Sequence, residues 1–155
     1  MVKSLQEELK QSKPFASVEV EAYVSLMRTY AVLSQPLNDL FKDFGITQTI
    51  YNLMRIIRGG PEEGVPCAII SDRLVTRVPD VTRLVDRAVE AGLVERNRPE
   101  SDRRVVLLTL TPKGTDLLSA MQEPLLQAHH AQMKGLNKAE LGTLVDLLAR
   151  LRAGE

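Results

Sequence analysis

Residues 79–110 contain two patterns of hydrophobic residues in succession, one typical of a helix and one typical of a hairpin. The rest of the chain is expected to support this segment. Between Pro79 and Gly92, apolar residues recur at steps of three and four, which predicts an amphipathic helix with one buried stripe. Pro79 fits the first helical position, Asp80 puts a negative charge at the positive end of the helix dipole, and Gly92 ends the helix. The stripe consists of Val81, Leu84, Val85, Ala88 and Val89.

The pattern then changes to that of a hairpin. Leu93 and Val94 begin one short strand, and residues 105–110 form a second strand that is β-branched at its start. The loop between them, residues 96–104, is the most basic run in the chain. A helix, a short strand, a basic loop and a return strand follow the order of a winged helix-turn-helix. The expected fold is therefore mainly α with a small antiparallel β-wing.

The polar face of the helix and the basic loop carry the candidate DNA-binding residues. Threonine and arginine near a helix N-terminus can reach base edges and phosphates in a major groove, and arginine also enters narrow minor grooves. The helix alone fits an ordinary solvated face equally well, but the loop beside it concentrates the positive potential that phosphate binding needs. We therefore predict binding to double-stranded DNA. The candidate contacts are Arg77, Asp80, Thr82, Arg83, Arg87, Arg96, Arg98, Asp102, Arg103 and Arg104.

Helical periodicity continues on the N-terminal side of this segment. The polar residues 1–14 are expected to form a frayed helix or an arm that is ordered only in a dimer. A long helix is predicted over residues 18–44, ending near Gly45, and Thr47 is predicted to cap the next helix. Residues 66–75 predict the first helix of the helix-turn-helix.

Two further helices are predicted after the wing. Thr111 with Pro112 opens the first of them, and Asn137 with Glu140 resembles a capping box that opens the last. The end helices carry apolar stripes but have no core of their own, so they are expected to pack in a two-fold homodimer. The predicted organisation is a dimerisation helix region (1–45), a DNA-binding core (46–111) and C-terminal dimerisation helices (112–155). Such a dimer fits a palindromic site.

Residues 81–114 resemble the recognition helix and wing of the MarR (multiple antibiotic resistance regulator) family. The matching pieces are T-R-L-V-D-R at 82–87, G-L-V-E-R at 92–96, D-x-R at 102–104 and L-T-P-K-G at 110–114. The resemblance implies that Asp102 holds an arginine in place while Arg104 enters the minor groove. The sequence departs from the family at Val78 and Pro79, where a small hydroxyl residue is frequent, and this predicts a weak helix cap. The family also implies a repressor that releases its operator when a ligand or an oxidant arrives.

Composition narrows the class of protein without changing this prediction. A chain of 155 residues fits one domain, and its net charge of zero means that attraction to DNA must be local. No apolar run is long enough for a membrane helix and residues 1–13 lack a signal-peptide pattern, so we expect a cytoplasmic protein without membrane contact.

Catalytic, metal and cofactor sites find little support in the sequence. His129 and His130 are adjacent, so on a helix they point about 100° apart and cannot clamp one metal ion as a pair spaced by four could. Cys67 is the single cysteine. We expect it to be a small buried residue, with an oxidation sensor near a helix N-terminus as the alternative. We expect no enzyme, no cofactor and no metal.

The resemblance also implies a small aromatic or anionic effector, bound between the dimer helices and the winged core. The same side chains could instead be core and interface residues, which is the commoner fate of tyrosines and methionines at helical spacing. A winged-helix module that binds protein instead of DNA is a further alternative. The candidate effector residues are Tyr23, Met27, Arg28, Tyr30, Phe41 and Tyr51.

Overall fold

The computed structural model describes residues 3–99, 102 and 104–154. Over these residues the chain is mainly helical, with a small antiparallel sheet, as the sequence predicts. The elements in chain order are α1 (Leu5–Glu8), α2 (Val18–Asp43), α3 (Gln48–Arg58), β1 (Val65–Pro66), a 3₁₀ turn (Cys67–Ile69), α4 (Ile70–Arg73), α5 (Val81–Glu90), β2 (Val94–Asn97), β3 (Leu107–Leu110), α6 (Pro112–Met133) and α7 (Lys138–Ala153).

The sheet has three strands in the order β1-β3-β2, and both pairings are antiparallel. β2 and β3 form the predicted hairpin, with Val94 opposite Leu110 and Asn97 opposite Leu107. β1 was not predicted, because two residues are too short to show an alternating pattern. It places the segment before α4 against the base of the wing, with Val65 opposite Leu108.

The hydrophobic core lies between α3, α5, the sheet and the first half of α6. The apolar stripe predicted for α5 is confirmed, since Leu84, Val85 and Ala88 are buried. Leu53 and Met54 of α3 are fully buried as well. Leu118 and Met121 of α6 close the core from the other side. The core therefore supports α5 from behind and leaves its polar face open.

Three predicted helix starts are confirmed by hydrogen bonds to the capping side chains. The Thr47 hydroxyl accepts from the Ile50 N–H, and the Thr111 hydroxyl accepts from the Gly114 N–H. Asn137 and Glu140 form the complete capping box at the start of α7.

The prediction of one helix over residues 66–75 needs correction. Residues 66–75 form a 3₁₀ turn followed by the four-residue α4, because Pro66 is extended in β1 and the Cys67 N–H donates to the Val106 carbonyl at 3.0 Å. Part of the N-terminal arm is helical and lies close to α2. Ser4 caps the short helix α1, and Glu8 lies 3.6 Å from Arg28 of α2.

The end helices leave much apolar surface uncovered. α7 has no buried residue, and Val145 and Leu151 are 62% and 65% exposed. Along α2 only Phe41 is buried, while Val20 and Met27 are exposed. A single copy of the chain therefore does not cover the apolar stripes of its own end helices.

Candidate nucleic-acid interface

The N-terminus of α5 is fixed by Asp80. Its side chain accepts from the Arg83 N–H at 2.9 Å, and its backbone is extended, as is usual for a capping residue. Pro79 consequently precedes the cap, and the prediction that it occupies the first helical position is wrong. The predicted weakness of this cap is also wrong, because the aspartate supplies what a hydroxyl residue would supply. The Asp80 carboxylate is thus engaged with its own helix.

Six of the remaining predicted contacts are exposed and lie in the turn before α5, on α5 and in the wing. We call this set the arginine surface, and all of its side chains are exposed. Within the described part of the chain, none of its arginines has a carboxylate within 4.0 Å, so their charges are not neutralised by an ion pair. Arg103 lies outside the described residues. The arginine surface comprises Arg77, Thr82, Arg83, Arg87, Arg98 and Arg104.

Arg96 differs from these arginines because it is paired. Its Nη2 atom lies 2.6 Å from Oδ1 of Asp86, which links β2 to α5. Arg96 was predicted as a DNA contact, and Asp86 was not among the predicted contacts. The two residues are ten positions apart, across a helix, a turn and a strand, so no local spacing rule reveals the pair.

The wing turn is organised by Asp102. Its Oδ1 atom accepts from the Arg104 N–H at 2.9 Å, and its carbonyl accepts from the Val105 N–H at 3.2 Å. The resemblance implied that this aspartate holds an arginine in place, and the contact observed is to the arginine backbone. Asp102 therefore fixes the turn from which the exposed Arg104 side chain projects.

The C-terminus of α5 is joined to the start of α6 by two side chains. Lys113 donates from Nζ to the Ala91 carbonyl at 2.7 Å, and the Thr111 hydroxyl donates to the Gly92 carbonyl at 2.7 Å. Carbonyls at a helix C-terminus lack helical partners, and a lysine there also complements the helix dipole. These two bonds give the L-T-P-K-G motif a physical role that the sequence analysis did not identify.

Gly114 completes the same junction. A Cβ atom at this position would lie 2.2 Å from the Leu93 carbonyl oxygen, so a larger residue cannot fit without displacing the backbone. The Thr111 N–H also donates to the Leu93 carbonyl at 3.1 Å. The end of α5, the start of β2 and the start of α6 are therefore in direct backbone contact.

An open cleft of about 440 Å³ lies beside the first half of α5. Thr47 and Thr49 at the start of α3 form one wall, and Arg83 and Arg87 line the other. The sequence gives no local signal for this proximity, because α3 and α5 are brought together only by the core. The cleft adds two polar side chains to the edge of the arginine surface.

Comparisons with known proteins agree with this geometry. No protein-family model matches the chain. A protein assigned as the transcriptional regulator of the hcr operon in Thauera aromatica is 27% identical over 107 residues, which is 69% of this chain and 63% of that protein. A MarR transcription factor from Planctomyces limnophilus, solved as a crystal structure, is 38% identical. The match covers 88% of this chain and 98% of that one, with a TM-score of 0.67.

The chain belongs to the MarR family. The fold also matches that of an Escherichia coli MarR variant solved in complex with operator DNA. That match has a TM-score of 0.75 and 22% identity, and it covers 96% of this chain and 99% of the other. The winged helix-turn-helix predicted from the sequence is thus the fold of a MarR protein.

The six residues suggested for a MarR effector do not line one cleft in this chain. Phe41 is a core residue, 3% exposed, and its ring lies 5.2 Å from that of Tyr51. Tyr23 and Met27 are exposed on α2, where Arg28 lies close to Glu8. The predicted effector site involves the helices of two copies, so a single copy does not test it and the six residues stay a prediction.

Of the six residues, Tyr30 lines a cleft with a volume of about 130 Å³. Its other walls include Thr49 and Asn52 of α3 and the turn that carries Leu74 and Thr76. The cleft lies between α2, α3 and the turn before α5, and its lining mixes polar and apolar side chains. The sequence analysis missed these α3 and turn residues, because they become neighbours of Tyr30 only through tertiary packing.

The other candidate chemical groups of this MarR chain lie outside the arginine surface. Cys67 is partly buried, and its N–H is bonded to the sheet. His129 and His130 are exposed on α6, and the described residues contain no cluster of three metal-ligating side chains. Across the described part of the chain, no helix combines the length and hydrophobicity needed to cross a bilayer.

Proposed function

We propose that this MarR-family chain is a transcriptional regulator that binds double-stranded DNA sequence-specifically as a homodimer. The observation that carries the proposal is the arginine surface, in which a capped helix and a basic wing, linked by the ion pair of Asp86 and Arg96, both expose their cations. The chain has no net charge, so this local concentration of cations is what attracts a polyanion.

The two parts of the surface have different tasks in this proposal. Thr82 and Arg83 lie in the first turn of α5, the part of a recognition helix that reaches base edges in the major groove. Arg104 lies in the wing, where a guanidinium can enter the minor groove or bind phosphates. Arg83 therefore supplies specificity, and Arg104 supplies affinity with little dependence on sequence.

The homodimer is supported by the exposed apolar stripes of α2 and α7. Burying Val145 and Leu151 against a second copy removes apolar area from water at about 25 cal/mol for each Å². In this arrangement residues 1–45 and 112–155 join the two copies, and residues 46–111 bind DNA. A two-fold dimer presents two recognition helices to the two halves of a palindromic operator.

We expect the protein to repress transcription when it is bound to its operator. A small aromatic or anionic effector is expected to relieve this repression. This part of the proposal is supported by the resemblance to the family and by the cleft beside Tyr30. An effector seated there would contact both α3 and the turn before α5.

The test begins with selection of bound fragments from the source genome. Titrations of the selected operator and a scrambled duplex then compare the wild type with Arg83→Ala, Arg104→Ala and the control Arg58→Ala. Arg58 is exposed at the opposite end of α3 from Thr49, so its loss removes the same charge away from the arginine surface. If Arg83→Ala and Arg104→Ala both bind the operator within twofold of wild type, the surface does not bind DNA, and the protein-binding alternative replaces the proposal.

A further inference from the structure

The ion pair between Asp86 and Arg96 connects the two elements of the arginine surface. Asp86 belongs to α5 and Arg96 to β2, and the atoms Oδ1 and Nη2 are 2.6 Å apart. Both side chains remain partly exposed, 45% for the aspartate and 35% for the arginine. The pair is therefore solvated enough to be screened by salt and close enough to restrict both side chains.

Local structure directs both side chains to this meeting point. Val94 of β2 is buried, and Arg96 lies two residues further along, on the same face of the strand. Asp86 follows the buried Val85, at the edge of the α5 stripe. The connection between helix and strand is short, since the Leu93 N–H donates to the Ala88 carbonyl at 2.9 Å.

We infer that Asp86 is a positioning residue, which holds Arg96 and with it the wing in fixed register to α5. The inference rests on the proposed DNA-binding function. Behind α5, Lys113 and Thr111 already join the helix to the start of α6. The ion pair joins the front of the helix to the wing, so the recognition helix and wing approach a duplex as one body.

The pair also orients Arg96 for phosphate binding. A guanidinium has five N–H donors, and Asp86 accepts from one nitrogen of Arg96. The other donors remain available to a phosphate oxygen. A long side chain held in place before binding loses less conformational freedom on binding, which favours affinity.

If Asp86 acted on DNA only through its charge, its removal would change DNA affinity in the opposite direction to that expected for a positioning residue. A binding measurement therefore separates the two explanations. Asp86 is a negative charge next to a proposed polyanion site, so removing it should strengthen DNA binding if charge alone matters. We expect Asp86→Asn to weaken operator binding about fivefold, because the neutral amide no longer holds Arg96.

Glu90→Gln is the matched control. Glu90 lies one helical turn after Asp86 on the same helix and is exposed. No cation lies within 4.0 Å of it in the described part of the chain. This variant removes the same charge without breaking an observed ion pair, so its operator affinity should equal or exceed that of the wild type.

The experiment measures operator and scrambled-duplex titrations at several salt concentrations for wild type, Asp86→Asn, Glu90→Gln, Arg96→Gln and the double variant. We expect the double variant to bind no more weakly than Arg96→Gln alone, since both changes remove one interaction. Asp86→Glu should restore most of the affinity because it keeps the carboxylate. Thermal unfolding of each variant reports whether the fold is intact.

Different outcomes overturn different claims. If Asp86→Asn binds as tightly as Glu90→Gln while Arg83→Ala still weakens binding, the positioning role is wrong and the proposed function stands. Losses that add in the double variant, accompanied by a lower unfolding temperature, indicate a purely structural role and also overturn the inference. If Arg83→Ala and Arg104→Ala are harmless as well, the proposed function falls, and the inference falls with it.

Discussion

Replacing Gly114 with alanine should destabilise the protein, although alanine is normally the better helix residue. Gly114 lies in the first turn of α6, where an added Cβ would be 2.2 Å from the Leu93 carbonyl oxygen. The same Cβ would be 3.1 Å from the Leu93 carbonyl carbon. Real Cβ contacts stay beyond 3.0 Å, so the backbone at Leu93 must move by roughly 0.8 Å.

The net effect follows from two opposing terms. Overpacking of a dense site costs about 1 to 3 kcal/mol, whereas alanine gains about 0.5 to 1 kcal/mol over glycine within a helix. We therefore expect a loss of about 1 to 2 kcal/mol in the free energy of unfolding. In urea this corresponds to a midpoint lowered by about 0.5 to 1 M.

Urea unfolding at one fixed protein concentration provides the assay, with Gly59→Ala as the control. Gly59 follows α3 with a φ of −85°, and its added Cβ would lie 3.4 Å from the nearest atom, the Arg55 carbonyl oxygen. Gly59→Ala should leave the midpoint unchanged or raise it slightly. If Gly114→Ala unfolds at the same urea concentration as Gly59→Ala, the close approach of α6 to Leu93 is not a constraint.

Three further predictions concern binding, redox chemistry and assembly. Arg83→Ala should weaken binding to the operator by about 1 to 3 kcal/mol and weaken binding to scrambled DNA much less. Arg104→Ala should weaken binding to both duplexes and lower the salt dependence of binding by about one charge. Titrations at several salt concentrations separate these effects. Cys67→Ala should leave DNA binding and any peroxide response unchanged, and a variant that binds DNA but ignores peroxide would establish the sensor alternative. Sedimentation at micromolar concentration should give a dimer, and Leu151→Glu should shift it towards monomer by placing a charge on the exposed stripe of α7; a folded wild-type monomer would contradict the assembly.

The predictable part of the fold depended on information carried by neighbouring residues. The α5 stripe repeats within a few turns, and Thr47 and Thr111 cap helices that begin directly after them. Such signals need no knowledge of tertiary structure. The exposure of the arginines proposed to bind DNA could be predicted equally well, because residues on the polar face of a helix and in a loop keep the positions that their own elements give them.

The parts that failed depend on contacts between distant segments. Val65 of β1 pairs with Leu108, which comes after α5 in the sequence, and no pattern within β1 predicts that pairing. The contact of the Phe41 ring with Tyr51 in the core likewise joins two separate helices, α2 and α3. Neither outcome follows from local periodicity.

The start of α5 shows a subtler limit. Pro79 and Asp80 are both favourable near a helix start, but they favour starts that differ by two residues. In the fold, the bond from the Arg83 N–H to Asp80 selects the later start. The ion pair of Asp86 could not be deduced either, because it requires knowing where β2 lies.

The bonds from Lys113 and Thr111 to the end of α5 couple the orientation of α6 to that of α5. α6 has 22 residues and is therefore about 33 Å long. Its near end is fastened to the recognition helix, and its far end leads into α7, the proposed contact with the second copy. A sideways shift of 3 Å at the far end tilts such a rod by roughly 5° if the near end stays in place. Small shifts at the proposed dimer interface would thus change the orientation of each recognition helix. The spacing of the half-sites that the dimer can bind would change with it.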